Sequence, residues 1–87
     1  RKFGNALVCG NSMIIKPPSE TPLTVMRLAE IISQESSLPS GVLNFITGSG
    51  RVVGDALVRN DTTRLVTLTG STGAGIEVFP HCSRTLC

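Results

Sequence analysis

With 87 residues the chain has room for at most one small domain. Folding would bury only roughly 60–65% of its unfolded surface, which leaves a thin stability margin. A net charge of +2, with no basic run interleaved with aromatics, argues against nucleic acid as a partner. No apolar run approaches the ~18 residues that cross a bilayer, and Arg1-Lys2 leads into no continuous apolar region of the signal-peptide kind.

Three Phe and no Trp or Tyr leave the core to Val, Ile and Leu. Cys9, Cys82 and Cys87 are odd in number and lack CxxC spacing, which fits neither a disulfide framework nor a zinc site. A cytoplasmic or other reducing intracellular setting is expected.

In chain order, the stretch up to Cys9 reads as the last turns of a helix, with Gly10-Asn11 as its stop. Ser12-Met13-Ile14-Ile15-Lys16 is a short run apolar on both faces, as in a strand buried in a parallel sheet. Pro17-Pro18 ends it, since neither residue can donate to a ladder. Thr21 is the expected N-cap and Pro22 the first residue of a helix. On that helix Val25, Leu28, Ala29 and Ile32 share one face with Met26 beside them, opposite Thr24, Arg27, Glu30 and Gln34. Pro39 disfavours helical geometry at Leu38, so the helix should stop near residues 35–37.

Residues 42–47 read as a second strand, followed by Gly48-Ser49-Gly50 and a short helix with Val53, Ala56 and Leu57 inward. Asn60-Asp61 is turn chemistry. Residues 64–69 read as a third strand, which runs into Gly70-Ser71-Thr72-Gly73 and the start of a further helix that Pro80 should break. Strands alternating with helices predict an α/β fold, a Rossmann-like parallel β-α-β-α-β unit of three strands with helices between.

Ligands in open parallel sheets bind outside the carboxyl ends of the strands. Lys16 stands at the first such end, as a ligand contact or a solvated lysine, with Ser19 and Glu20 on the turn that follows. The second end carries Gly48, Gly50 and Gly54, a G-x-G-x-x-x-G one residue longer than the dinucleotide fingerprint. It suits either a phosphate or plain helix packing. The third carries Gly70 and Ser71, again a phosphate turn or a simple N-cap. No Gly-Lys-Ser/Thr sequence forms a Walker loop. Cys9 reads as a buried core thiol, and His81-Cys82 carries no metal-ligand spacing.

The motifs Ala6-Leu7-Val8-Cys9-Gly10-Asn11, Ile15-Lys16-Pro17, Glu20-Thr21-Pro22-Leu23, Leu28-Ala29-Glu30 and Leu38-Pro39-Ser40-Gly41-Val42-Leu43-Asn44 resemble the aldehyde dehydrogenase family. Thr47-Gly48-Ser49-Gly50, Val53-Gly54-Asp55-Ala56-Leu57 and Thr69-Gly70-Ser71-Thr72 continue the resemblance in register. It implies that residues 1–75 are part of an NAD(P)-binding domain and that residues 76–87 are a divergent tail. By the same resemblance Lys16 contacts the adenosine ribose or its 2′-phosphate, Ser71 lies at the pyrophosphate, and the glycine loop of residues 48–54 backs the adenine side.

The family oxidises aldehydes to carboxylic acids through a cysteine thiohemiacetal, with hydride passing to the nicotinamide and a glutamate activating water. Both catalytic residues fall beyond the Gly-Ser-Thr turn in the family's pattern, so no catalytic residue and no metal ligand is assigned here. The resemblance implies a nicotinamide cofactor, an aldehyde substrate and a homo-oligomeric parent. A non-catalytic nucleotide-binding or interaction module, or a truncated product without function, is the alternative reading.

Cofactor choice turns on Ser19. The family's NAD-selecting glutamate commonly stands three positions after the lysine, where this chain has Ser19 and carries its acid at Glu20. A serine repels no 2′-phosphate and Lys16 supplies a positive partner, which favours NADP over NAD. The opposing case is that Pro17-Pro18 returns Glu20 to the ribose.

A low-pKa cysteine needs an electropositive setting, and neither Cys82 nor Cys87 has one in the sequence. The 87-residue chain by itself is therefore expected to give no aldehyde-dependent NAD(P)H in a spectrophotometric assay. Turnover that disappears in Cys87→Ser would overturn this.

Overall fold

A computed structural model describes residues 2–35 and 37–82. Its contacts divide the chain into two compact units, Arg1–Ser49 and Gly50–Cys87. The expected tail beyond Cys82 lies outside the described residues.

The first unit opens with helix α1 (Phe3–Val8). Its end follows from Gly10, whose φ of +80° is open to glycine at little cost. There the Gly10 N–H donates to Leu7 O and the Asn11 N–H to Ala6 O, both at 3.0 Å, the two bonds of a Schellman stop. Strand β1 (Met13–Ile15) follows, then helix α2 (Leu23–Glu35) and strand β2 (Leu43–Phe45). Helix α2 starts one residue later than expected. The Met26 N–H donates to Pro22 O at 3.0 Å, so Pro22 stands at the cap and Leu23 is the first helical residue.

The expected faces of α2 are present. Val25, Met26, Ala29 and Ile32 are half-buried, Leu28 is more exposed, and Arg27 reaches Glu30 at 2.6 Å on the solvent side. Such an exposed i,i+3 pair contributes only about 0.2–0.5 kcal/mol.

β1 and β2 pair in parallel, with Met13 opposite Leu43, Ile14 opposite Asn44 and Ile15 opposite Phe45. Ladder bonds continue beyond the paired residues, from the Met13 N–H to Val42 O at 2.8 Å and from the Ile46 N–H to Ile15 O at 3.0 Å. Side chains alternate between faces. Met13, Ile15, Leu43 and Phe45 are half-buried, and Ala29 and Ile32 of α2 line a groove with Leu43 and Phe45. Ile14 and Asn44 are exposed on the other face, so the expectation of a strand buried on both faces holds for one.

The turn into β2 is of type II, with the Val42 N–H donating to Pro39 O at 3.3 Å and Gly41 at φ +87°. Asn44 Nδ2 donates to Gly41 O at 2.9 Å and to Met13 O at 3.2 Å, pinning this turn to β1.

The second unit begins with a π-helical turn (Gly50–Gly54) that runs directly into helix α3 (Asp55–Arg59), where Arg59 Nε reaches Asp55 Oδ2 at 2.7 Å. A π turn closes i→i+5 bonds and shifts the phase of the residues after it. Val53, Leu57 and Val58 are accordingly half-buried, and Ala56, expected inward, is exposed. Asn60 Oδ1 accepts from the Thr62 backbone N–H at 2.9 Å, the Asx turn expected there. Thr63 Oγ1 then donates to Leu57 O at 2.8 Å.

Three expectations are corrected. Residues 64–69 form no strand, so the described residues hold two strands rather than three. β-Branched composition suits a segment to a sheet, but a strand exists only beside a partner that completes its ladder. Helix α4 (Thr72–Cys82) runs through Pro80. The ring deletes the bond to the carbonyl of Ile76, a residue 68% exposed, where water is at hand. Cys9 is exposed at the end of α1, not buried.

None of the aliphatic, Phe, Met or Cys side chains among the described residues is buried; Pro17 is. Val8 is 89%, Leu23 81% and Phe79 72% exposed. At ~25 cal/mol per Å² of apolar burial, so little enclosed surface cannot offset ordering costs of about 1–2 kcal/mol per residue. The isolated 87-residue chain is expected to bind ANS and to melt broadly. A sharp two-state transition of a monomer, with dispersed amide resonances, would contradict this.

Candidate functional site

The strand-end site is assembled by the register of β1 and β2. Lys16 follows Ile15 directly, and Gly48 lies three residues beyond Phe45, so both stand past the carboxyl ends of adjacent parallel strands. The chain bends at Ser19-Glu20, beyond the two prolines, and Ser19 reaches the same place.

The three residues meet at one atom. Lys16 Nζ donates to Gly48 O at 3.2 Å and to Pro17 O at 2.9 Å, and Ser19 Oγ donates to Gly48 O at 3.0 Å. Gly48 has φ +149°, a backbone conformation that side-chain-bearing residues rarely adopt. That conformation lets its carbonyl receive both donors. Lys16 is half-buried and Ser19 exposed. Glu20, the other acid-or-hydroxyl candidate of this turn, is exposed.

The sequence reading placed Lys16 and Ser19 at the first strand end and Gly48 at the second, and did not foresee the contact between them. A backbone carbonyl has no signature in the sequence. Asn44 was also passed over. It is a polar residue inside the apolar run 42–46, and that interruption was the available signal. Its amide holds β2 against β1 one turn below the site.

The remaining candidates lie in the second unit. Gly50 opens the π turn and Gly54 closes it with φ −60° and ψ −46°, an ordinary helical conformation. Neither needs glycine for its dihedrals, and open space surrounds the Cβ position at Gly50. The glycine run is therefore a helix start, and of its three glycines only Gly48 is conformationally obliged.

Gly70 and Ser71 precede α4. Ser71 Oγ accepts from the Ala74 N–H at 3.2 Å and Ser71 O accepts from the Gly75 N–H at 3.1 Å, which makes Ser71 the N-cap. The N–H groups of Thr72 and Gly73 have no acceptor within the helix, as at every helix start. Both readings of this turn are compatible here, because the cap uses the hydroxyl oxygen and leaves donors facing outward.

The cap has a measurable consequence. In a peptide of residues 68–82, Ser71→Ala is expected to cost about 1 kcal/mol of helix stability, and Ser71→Asp to keep most of it. Circular dichroism in a trifluoroethanol titration would show a later midpoint for the alanine variant alone. Equal midpoints for all three would show that Ser71 does not cap.

The family model "Aldehyde dehydrogenase family" matches residues 1–87. The phenylacetaldehyde dehydrogenase of Pseudomonas fluorescens is 48% identical over 85 residues, which is 98% of this chain and 17% of that enzyme. A 1-pyrroline-5-carboxylate dehydrogenase of Geobacillus thermodenitrificans is 44% identical over 79 residues, 91% of this chain and 15% of that enzyme. Among solved structures, 3,6-anhydro-L-galactose dehydrogenase in complex with NAP superposes with a TM-score of 0.92 at 43% identity, covering 99% of this chain and 18% of that one. The chain thus spans 17% and 15% of the length of the two curated relatives. With a family model matched along its whole length and a solved relative sharing its fold, the chain belongs to the aldehyde dehydrogenase family.

Proposed function

We propose that this chain is the cofactor-site portion of an NAD(P)-dependent aldehyde dehydrogenase, an oxidoreductase that converts an aldehyde to a carboxylic acid. The observation that carries the reading is the convergence of Lys16 and Ser19 on Gly48 O beyond the ends of two parallel strands. Ligands of open parallel sheets bind in that position. The NAP bound to the solved relative supports the same ligand class.

The residues present fit the adenosine side of a nicotinamide dinucleotide. Lys16 supplies a fixed positive charge and Ser19 a hydroxyl within one turn, both suited to a ribose or its 2′-phosphate. Ser71 and the first N–H groups of α4 suit the pyrophosphate, as helix starts generally suit anions. When bound, the cofactor accepts a hydride. The substrate in this reading is an aldehyde held by segments outside these residues, in a homo-oligomeric enzyme.

Within this reading Ser19, not Glu20, faces the ribose. The bond of Ser19 to Gly48 O supports it. A carboxylate at that point would stand about 4 Å from a 2′-phosphate. At an effective dielectric of ~20 the two like charges would cost about 4 kcal/mol. With a serine instead, the full-length enzyme should use NADP at least as well as NAD.

The test is kcat/KM for both cofactors in the full-length protein and in Ser19→Glu. The expected result is a loss of NADP use by two orders of magnitude or more, with NAD use retained. A strong NAD preference in the wild type, or NADP use unchanged by Ser19→Glu, would remove Ser19 as the selector.

A further inference from the structure

The hydrogen-bond inventory at the first strand end leads one step past that reading, and rests on it. A lysine ammonium has three donors, and Lys16 spends two of them on Pro17 O and Gly48 O. A serine hydroxyl has one donor, and Ser19 spends it on Gly48 O. What remains for a ligand is one N–H of Lys16 and the lone pairs of Ser19 Oγ.

That remainder suits a ribose diol. A hydroxyl can donate to Ser19 Oγ and accept from Lys16 at once, so an unphosphorylated ribose is satisfied without any movement. A 2′-phosphate is different, because near neutral pH it carries about −1.5 to −2 charge and chiefly accepts hydrogen bonds. In the observed geometry it would meet the lone pairs of Ser19 with its own. Only if the Ser19 proton leaves Gly48 O can the hydroxyl donate to the phosphate.

We propose that the Gly48 carbonyl is an internal competitor for the Ser19 hydroxyl, so that the turn has two hydrogen-bonding states: latched to Gly48 with a plain ribose, released from Gly48 with a 2′-phosphate. The exchange costs little in either direction. Release gives up a hydrogen bond to a neutral acceptor and gains one to a charged acceptor, while Lys16 stays on Gly48 O and keeps that carbonyl paired. The glycine conformation at φ +149° sets the carbonyl where both donors reach it, so the competitor is a built feature of the turn. A single serine then serves two cofactors by moving one proton between two acceptors.

The test uses the two adenosine fragments that differ only in the phosphate, 5′-AMP and 2′,5′-ADP, bound to the full-length protein. In a crystal structure with 5′-AMP, Ser19 Oγ is expected to stay about 3 Å from Gly48 O; with 2′,5′-ADP it is expected beyond about 3.5 Å and on the phosphate. By calorimetry, Ser19→Ala should weaken 2′,5′-ADP about fivefold and 5′-AMP by no more than about twofold, with Ser19→Thr restoring both. An unchanged Ser19–Gly48 bond in the two complexes, or equal weakening of both fragments, would overturn the exchange. Neither fragment beside Lys16 would overturn the cofactor-site reading itself, and the exchange with it.

Discussion

The parallel register between Met13–Ile15 and Leu43–Phe45 is the constraint on which the first unit depends. It places the strand ends level, so that Lys16 and Gly48, 32 positions apart, come within a hydrogen bond. A slip of one strand by one residue would send its inward pair, Met13 and Ile15 or Leu43 and Phe45, to the open face and move Lys16 off the carbonyl. Asn44 guards against that slip from the middle of β2. Its amide is tied to both Gly41 O and Met13 O, and a shifted register would leave at least one of these unpaired. The specificity of the site therefore rests on a short ladder and one side chain, which carry geometry more than energy.

Energy has to come from burial, and here the described residues are sparing. At a net ~1 kcal/mol per hydrogen bond, a three-residue pairing cannot hold a βαβ unit against the entropy of ordering its chain. α2 covers one face of the sheet through Ala29 and Ile32, whereas Ile14 looks away from it. In the second unit Val52, Leu65, Ile76 and Phe79 are each 68–72% exposed. These are core-type side chains in sequence and surface side chains in position. Parallel sheets are stable when helices close both faces, and the described residues close one face of the β1–β2 sheet.

What the sequence could tell followed from whether a feature is local. The stop at Gly10, the amphipathic period of α2 and the cap at Ser71 depend on neighbours within about one helical turn and a half, and each stood in the sequence. Burial and pairing depend on distant partners. Cys9 has the composition of a core residue but follows a helix end that faces solvent. Residues 64–69 have strand composition and no partner among the described residues. Pro80 obeys its usual chemistry, yet one lost bond, to the carbonyl of an exposed residue, does not stop α4 there. At the site, side chains were readable and the acceptor that organises them was not, because every residue has a carbonyl and only geometry singles out that of Gly48.

The two serines show how one residue type is set to opposite tasks by its backbone. Ser19 spends its proton on Gly48 O and keeps its lone pairs, so in the observed state it presents an acceptor. Ser71 spends a lone pair on the Ala74 N–H and keeps its proton, so it presents a donor beside the unpaired N–H groups of a helix start. An acceptor flanked by a lysine matches a hydroxyl-bearing sugar, and a donor flanked by more donors matches a phosphate oxygen. Neither preference belongs to serine as such. Each is fixed by the partner the fold supplies, the Gly48 carbonyl in one case and the first turn of a helix in the other. Substituting Thr would preserve both bonds, whereas Ala would remove the bond to Gly48 O at residue 19 and the helix cap at residue 71. The two positions thus read alike in the sequence and differ in the structure by the direction of a single hydrogen bond.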